Sequence, residues 1–156
     1  MSKWSRSPLI HHKKIPPQCL AKYGTVCAVT RVRMDTTIKK ILLVEDHDRS
    51  REVLARLIKC LGYEVLEAST AGEAIDRASS LHPSLILMDL KLPGMSGVEA
   101  TAQLKANPST RDIPVVISTG WIIGESPKRA LDAGAAEILY KPYDLATLRN
   151  VLSRYW

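Results

Sequence analysis

Five polar residues close apolar runs at four well-separated places in this chain, and their types suit one chemistry. Glu45 and Asp46 follow ILLV, Asp89 follows LILM, Thr119 follows PVVIS, and Lys141 follows ILY. A carboxylate at the edge of a core is costly unless something compensates it. Acids drawn close together repel, and without a cation at least one pKa should rise. An all-oxygen ligand set, small and partly solvated, suits Mg2+ with retained waters rather than Zn2+. No Cys or His cluster competes for that role: His11, His12, His47 and His82 are isolated. Taken singly, each acid reads as a cap or turn residue. Asp46 or Asp48 could cap the first helix, and Asp89 could begin a turn. Their common position at the ends of runs argues instead for a shared site.

Those residues meet only if the elements carrying them lie side by side. KKILLVE (39–45) is an apolar, β-rich run. HDRSREVLARLIKCLG (47–62) has Val53, Leu54, Leu57, Ile58 and Leu61 at helical spacing, with Gly62 as a stop. YEVLEA (63–68) alternates as a short strand. Thr70 and Glu73 form a capping box for a helix with Ala74, Ile75, Ala78 and Leu81 on one face. SLILMD (84–89) is a third strand, and Ser96 with Glu99 opens a helix ending near Asn107-Pro108. IPVVIST (113–119) is a fourth strand, and Ser126 with Pro127 starts a helix running to Gly134. AEILY (136–140) is a fifth strand, and Asp144 opens a last helix with Leu145, Leu148, Val151 and Leu152 inside.

Strict alternation of strand and helix predicts an α/β fold, a doubly wound parallel sheet with helices on both faces. The compact solution is a five-stranded sheet of order 2-1-3-4-5. It sets the first and third strands side by side at the switch point, where ligands bind outside the strands' carboxyl ends. Glu45, Asp46, Asp89, Thr119 and Lys141 all fall at that edge.

The charge balance separates two parts of the chain. Residues 1–36 hold seven Lys or Arg against one acid, Asp35, whereas 37–156 hold equal numbers of each sign. The expectation is a basic N-terminal extension with little structure of its own at 1–36, and a neutral domain at 37–156. Met34 is either the natural start, with an upstream leader before it, or an internal residue of a real N-terminal arm. No apolar run is long enough to span a membrane. Lys13, Lys14, Pro16, Pro17 and Lys22 interrupt any secretory signal. Cys19, Cys27 and Cys60 have no metal-type spacing and fit a reducing, cytoplasmic setting better than a disulfide framework.

ILLVEDH, ILMDLKLPGMSG, PVVISTG and ILYKP, in this order and spacing, resemble the receiver domain of two-component response regulators. The resemblance covers 39–156 and implies a flavodoxin-like fold. By position, Asp89 resembles the phospho-accepting aspartate and Asp46 the direct Mg2+ ligand. Glu45 would act mainly through water, and the main-chain carbonyl of Lys91 would be a further ligand. Thr119 resembles the hydroxyl that moves toward the phosphoryl group, and Lys141 the lysine that pairs with it. The Lys141–Pro142 bond is similar to one usually found cis. The implied partners are a sensor histidine kinase or histidine phosphotransfer protein, and a downstream protein target bound through the fourth helix, fifth strand and fifth helix.

The sequence departs from that family in three places. The usual aromatic switch position holds Ile138, and Tyr140, two residues on, would face the same side of the strand. Tyr140 either partly replaces the missing ring or only packs on the last helix. The positions that tune phosphate loss hold Lys91 and Trp121, neither suited to orienting water, so a long-lived phosphorylated state is expected. Trp121-Ile122-Ile123 is an apolar patch that either meets a partner or folds back on its own helix.

The chain closes directly after the last helix, so the expectation is a single-domain regulator, a phosphorylation-switched binding module or relay. It is not expected to be a turnover enzyme: a phosphatase or transferase would want a second acid two residues after Asp89, where Lys91 stands. A DNA- or RNA-associated regulator acting through the basic arm is the alternative, with steep salt dependence. It is weakened because the arm lacks a folded reader. EDHDRS after the first strand would repel the phosphates of a nucleotide or flavin.

Overall fold

The computed structural model describes residues 38–120 and 127–156. The expectations for the leader, for Ser126 and for Trp121 fall outside them. Within them the order of elements is β1 (Lys40–Val44), α1 (Asp48–Cys60), β2 (Glu64–Ala68), α2 (Ala71–Leu81), β3 (Leu85–Asp89), α3 (Gly97–Ala106), β4 (Val115–Thr119), α4 (Pro127–Asp132), β5 (Glu137–Tyr140) and α5 (Leu145–Leu152). The strands form one parallel sheet in the order β2-β1-β3-β4-β5, as the alternation predicts. Among the described residues, no helix is long and apolar enough to cross a membrane.

Strand alternation divides the core in two. Leu42, Val44, Ile86, Met88, Val115 and Ile117 point toward α2, α3 and α4. There they meet Ala71, Ala74, Ala78, Ala100, Leu104 and Ala130. Ile41, Leu43, Leu85, Leu87, Val116 and Leu139 point the other way, onto Leu54, Ala55 and Ile58 of α1 and Leu148, Val151 and Leu152 of α5. β1, β3 and β4 are buried on both faces, which is why their sequences read as unbroken apolar runs.

The helix starts follow the caps read from sequence, with two differences. Ser96 and Glu99 form a full capping box. Thr70 accepts the Glu73 N–H, but the Glu73 carboxylate reaches back to the N–H of Ser69 rather than to Thr70. At α1 neither acid is the cap: His47 holds that position without a side-chain cap bond. The fourth helix ends at Asp132, short of Gly134, whose φ of +101° suits only a residue without a Cβ. Cys60 is disulfide-bonded. That differs from the reading of Cys60 as a reduced thiol, and Cys19 and Cys27 lie outside the described residues.

Candidate functional site

The site is assembled by register. β1 and β3 are neighbours, with Val44 opposite Met88, so Glu45 and Asp46 leave the sheet beside Asp89. The N–H of Glu45 extends the ladder by donating to the Ala68 carbonyl, 3.1 Å away. Carboxylate oxygens of Glu45, Asp46 and Asp89 lie within 4.8 Å of one another. Glu45 is buried, Asp89 is half-buried and Asp46 is exposed.

Lys141 arrives from the far side of the sheet. Its ammonium donates to Glu45 Oε2 at 2.6 Å and to Asp89 Oδ2 at 2.7 Å. Its side chain is 27% exposed, so water screens this contact only in part. Burial raises the Glu45 pKa, and the Lys141 contact offsets only part of that rise. For Lys141, burial pulls the pKa down, but its bonds to Asp89 and Glu45 outweigh it and the net direction is up. One ammonium among three carboxylates leaves excess negative charge, so the cluster has room for a hard cation.

The loop after Asp89 is fixed from both ends. Leu90 and Leu92 are buried as anchors. The Lys91 N–H donates to Asp89 Oδ1 at 3.0 Å, while its side chain is exposed. The Gly97 N–H donates to the Leu90 carbonyl at 2.8 Å. A Cβ on Gly97 would collide with the carbonyl oxygen of Asp89, so the close return of α3 onto the end of β3 requires glycine here.

Thr119 is brought near but is not joined to the acids. It is buried at the end of β4, and its hydroxyl donates to the Gly120 carbonyl at 2.8 Å. Alternation places it on the face of Ile117, opposite to the face that Asp89 shares with Leu87. Tyr140 lies in register with Thr119 and is 51% exposed, whereas Ile138 is part-buried against the core. The Lys141–Pro142 bond is cis.

Sequence reasoning missed three contributors. Arg51 donates to the Glu45 carbonyl at 2.9 Å and to Asp48 at 2.6 Å, holding the loop that carries Asp46. Ser118 stands in register with Asp89, and its hydroxyl pairs with the Tyr143 hydroxyl at 2.9 Å. Tyr143 could have been noticed as the ring directly after Lys141-Pro142. Nothing in the sequence singled out Arg51 or Ser118.

Comparison with known proteins agrees with this geometry. The family model described as the response regulator receiver domain matches residues 41–153. The chain is 32% identical over 117 residues to the polar-differentiation response regulator DivK of Brucella ovis, spanning 75% of this chain and 95% of that protein. It is 30% identical to the crystallised receiver domain of a sensor histidine kinase from Pseudomonas aeruginosa, which holds a magnesium ion coordinated in its active site cleft. That match has a TM-score of 0.71 and covers 76% of this chain and 98% of that one. The chemotaxis protein CheY4 of Vibrio cholerae matches with a TM-score of 0.71 at 26% identity, covering 77% of this chain and all of that one. With the parallel order β2-β1-β3-β4-β5 and an acid cluster bridged by Lys141, the chain belongs to the response regulator receiver domain family.

Proposed function

We propose that Asp89 accepts a phosphoryl group from a phosphohistidine in a Mg2+-dependent reaction, and that the protein signals by binding another protein in that state. One observation carries this reading: the Lys141 ammonium bridges Asp89 and Glu45 at 2.7 and 2.6 Å beside a third carboxylate, Asp46. An Asp89 carboxylate oxygen forms the new P–O bond as the P–N bond breaks, and the electron pair leaves on the imidazole of the donor. Charge spreads over the equatorial oxygens, so positioning and positive charge do most of the work. Lys141 supplies one fixed charge. Asp46 and Asp89, with Glu45 through water and the Lys91 carbonyl, would hold Mg2+, which would neutralise phosphoryl oxygens when bound. Thr119 would give up its bond to Gly120 and turn toward the acyl phosphate, converting a local charge change into a shift of the end of β4.

The donor is a sensor histidine kinase or a histidine phosphotransfer protein, and the domain responsible is 37–156. The downstream target would meet the face of α4, β5 and α5, where Leu131 and Tyr140 are 46% and 51% exposed. Tyr140, beside Thr119, is the residue there placed to report its movement, so Tyr140→Ala should weaken phosphorylation-dependent partner binding. We place the exchange in the cytoplasm, where ATP supplies the kinase. The role is that of a signalling module rather than a turnover enzyme. Lys91 and Trp121 do not orient a hydrolytic water in this reading, so the phosphorylated state should outlast seconds.

The test is incubation with acetyl phosphate and Mg2+, with the modified residue mapped by mass. A phosphoryl mass on Asp89, absent in Asp89→Asn and after chelation, is the expected result. Label on another residue, or none, overturns the reading.

A further inference from the structure

The Lys141 ammonium must be held between two carboxylates, yet its side chain is long and flexible. Its placement depends on where the main chain leaves β5. On the N-terminal side the Lys141 N–H donates to the Thr119 carbonyl at 2.7 Å, the last rung of the sheet. On the C-terminal side Pro142 has no N–H to give and is exposed. The next anchor is Tyr143, part-buried against the core on that face of the sheet, whose hydroxyl pairs with Ser118 at 2.9 Å. Ser118 is 2% exposed and pairs in register with Asp89 on one side and Leu139 on the other. Both anchors of the Lys141 turn therefore lie on consecutive residues at the end of β4, next to the acceptor strand.

A buried pair of hydroxyls is not what packing alone asks for. Residues on this face of the neighbouring strands, Leu43, Leu87 and Leu139, are apolar. Replacing both hydroxyls by apolar groups of similar shape would be nearly neutral for stability. The pair earns its place through direction: a hydrogen bond fixes one geometry, which a van der Waals contact does not.

We propose that Ser118 and Tyr143 are positioning residues for phosphorylation at Asp89, tying the Lys141 turn to the end of β4. The inference rests on the reading of Asp89 as phospho-acceptor. It also makes Tyr143, on the Asp89 face, the ring that couples strand end to lysine, where Tyr140 lies exposed on the other face. A shift of residues 118–119 would move both anchors of Lys141 together.

The test compares Tyr143→Phe, Ser118→Ala and the double variant with the native chain. Initial rates of phosphorylation by acetyl phosphate and Tm are measured on each. Positioning predicts a fall of about three- to tenfold in rate, since small misplacements of a catalytic group are costly. It predicts no further fall in the double variant, because one bond is lost in all three. It also predicts that Ser118→Thr, which keeps a hydroxyl, stays near the native rate. The double variant separates positioning from a structural role, as its Tm should lie near native while its rate stays low. Rates that track Tm across the series, or a double variant at native rate, overturn the proposal while leaving Asp89 as acceptor intact. A native chain that takes no label on Asp89 overturns both.

Discussion

The two faces of the sheet are built differently. Toward α2, α3 and α4 the contact is mostly alanine: Ala71, Ala74, Ala78, Ala100 and Ala130 are all buried. Small side chains leave no slack, so those helices are set close to the strands. Toward α1 and α5 the contact is made by Leu54, Ile58, Leu148 and Leu152, and polar groups crowd its upper end. Glu45, Asp89, Ser118 and Lys141 continue the parity of that face, whereas Thr119 and Ile138 belong to the alanine face. Charge thus collects on one side of the sheet, and the hydroxyl expected to respond lies on the other. The end of β4, where Ser118 and Thr119 are consecutive, joins them.

That contrast can be broken at several points. The largest effect should come from Lys141→Ala, which removes the cation that bridges the Glu45 and Asp89 carboxylates. Phosphorylation by acetyl phosphate should fall about a hundredfold or more, as when one preorganised charge-stabilising donor is deleted. A rate within a few-fold of native would mean that the ammonium is a structural counterion only.

Next come the two cores. Leu148→Ala, on the bulky face, should lose about 2–5 kcal/mol in urea unfolding through the cavity it leaves. Ala78→Leu, on the alanine face, should cost about 1–3 kcal/mol by overpacking, since Ala78 has no exposed surface to expand into. If Ala78→Leu were tolerated without loss, the close approach of α2 would not constrain side-chain size at this position.

The smallest effects belong to the caps. Thr70→Ala should cost about 1 kcal/mol, read from the urea midpoint. Glu73, Glu99 and Asp144 are held below their usual carboxylate pKa, first by the N–H groups of Ser69, Ser96 and Thr147. A depressed folded pKa contributes stability that is present above the ordinary carboxylate range. It is lost as pH falls through the folded values. Urea midpoints should therefore decline below about pH 4, and less steeply in Glu73→Gln. An unchanged profile in that variant would show that the Ser69 contact does not hold the charge.

Much of this was legible before folding. Apolar runs bounded by caps gave the order and type of ten elements, because hydrophobic patterning and cap chemistry are local. The acids and Lys141 stood out because charge at the end of a buried run demands a partner. Gly97 was visible only as part of LPGMSG. Its reason, the carbonyl of Asp89 lying where a Cβ would go, is tertiary. At α1 the cap is His47, between Asp46 and Asp48, and one residue of phase decides which side chain takes that position.

The sequence by itself determined which residue types would gather at the carboxyl edge, since alternation forces a parallel sheet and a parallel sheet puts every strand end on one side. Only the tertiary structure decided which of them touch. Lys141 meets Glu45 and Asp89 while the Thr119 hydroxyl turns to Gly120, and Tyr143 reaches Ser118 across 25 positions. Such contacts depend on strand parity and on the path of the loop after β5, which no local pattern encodes.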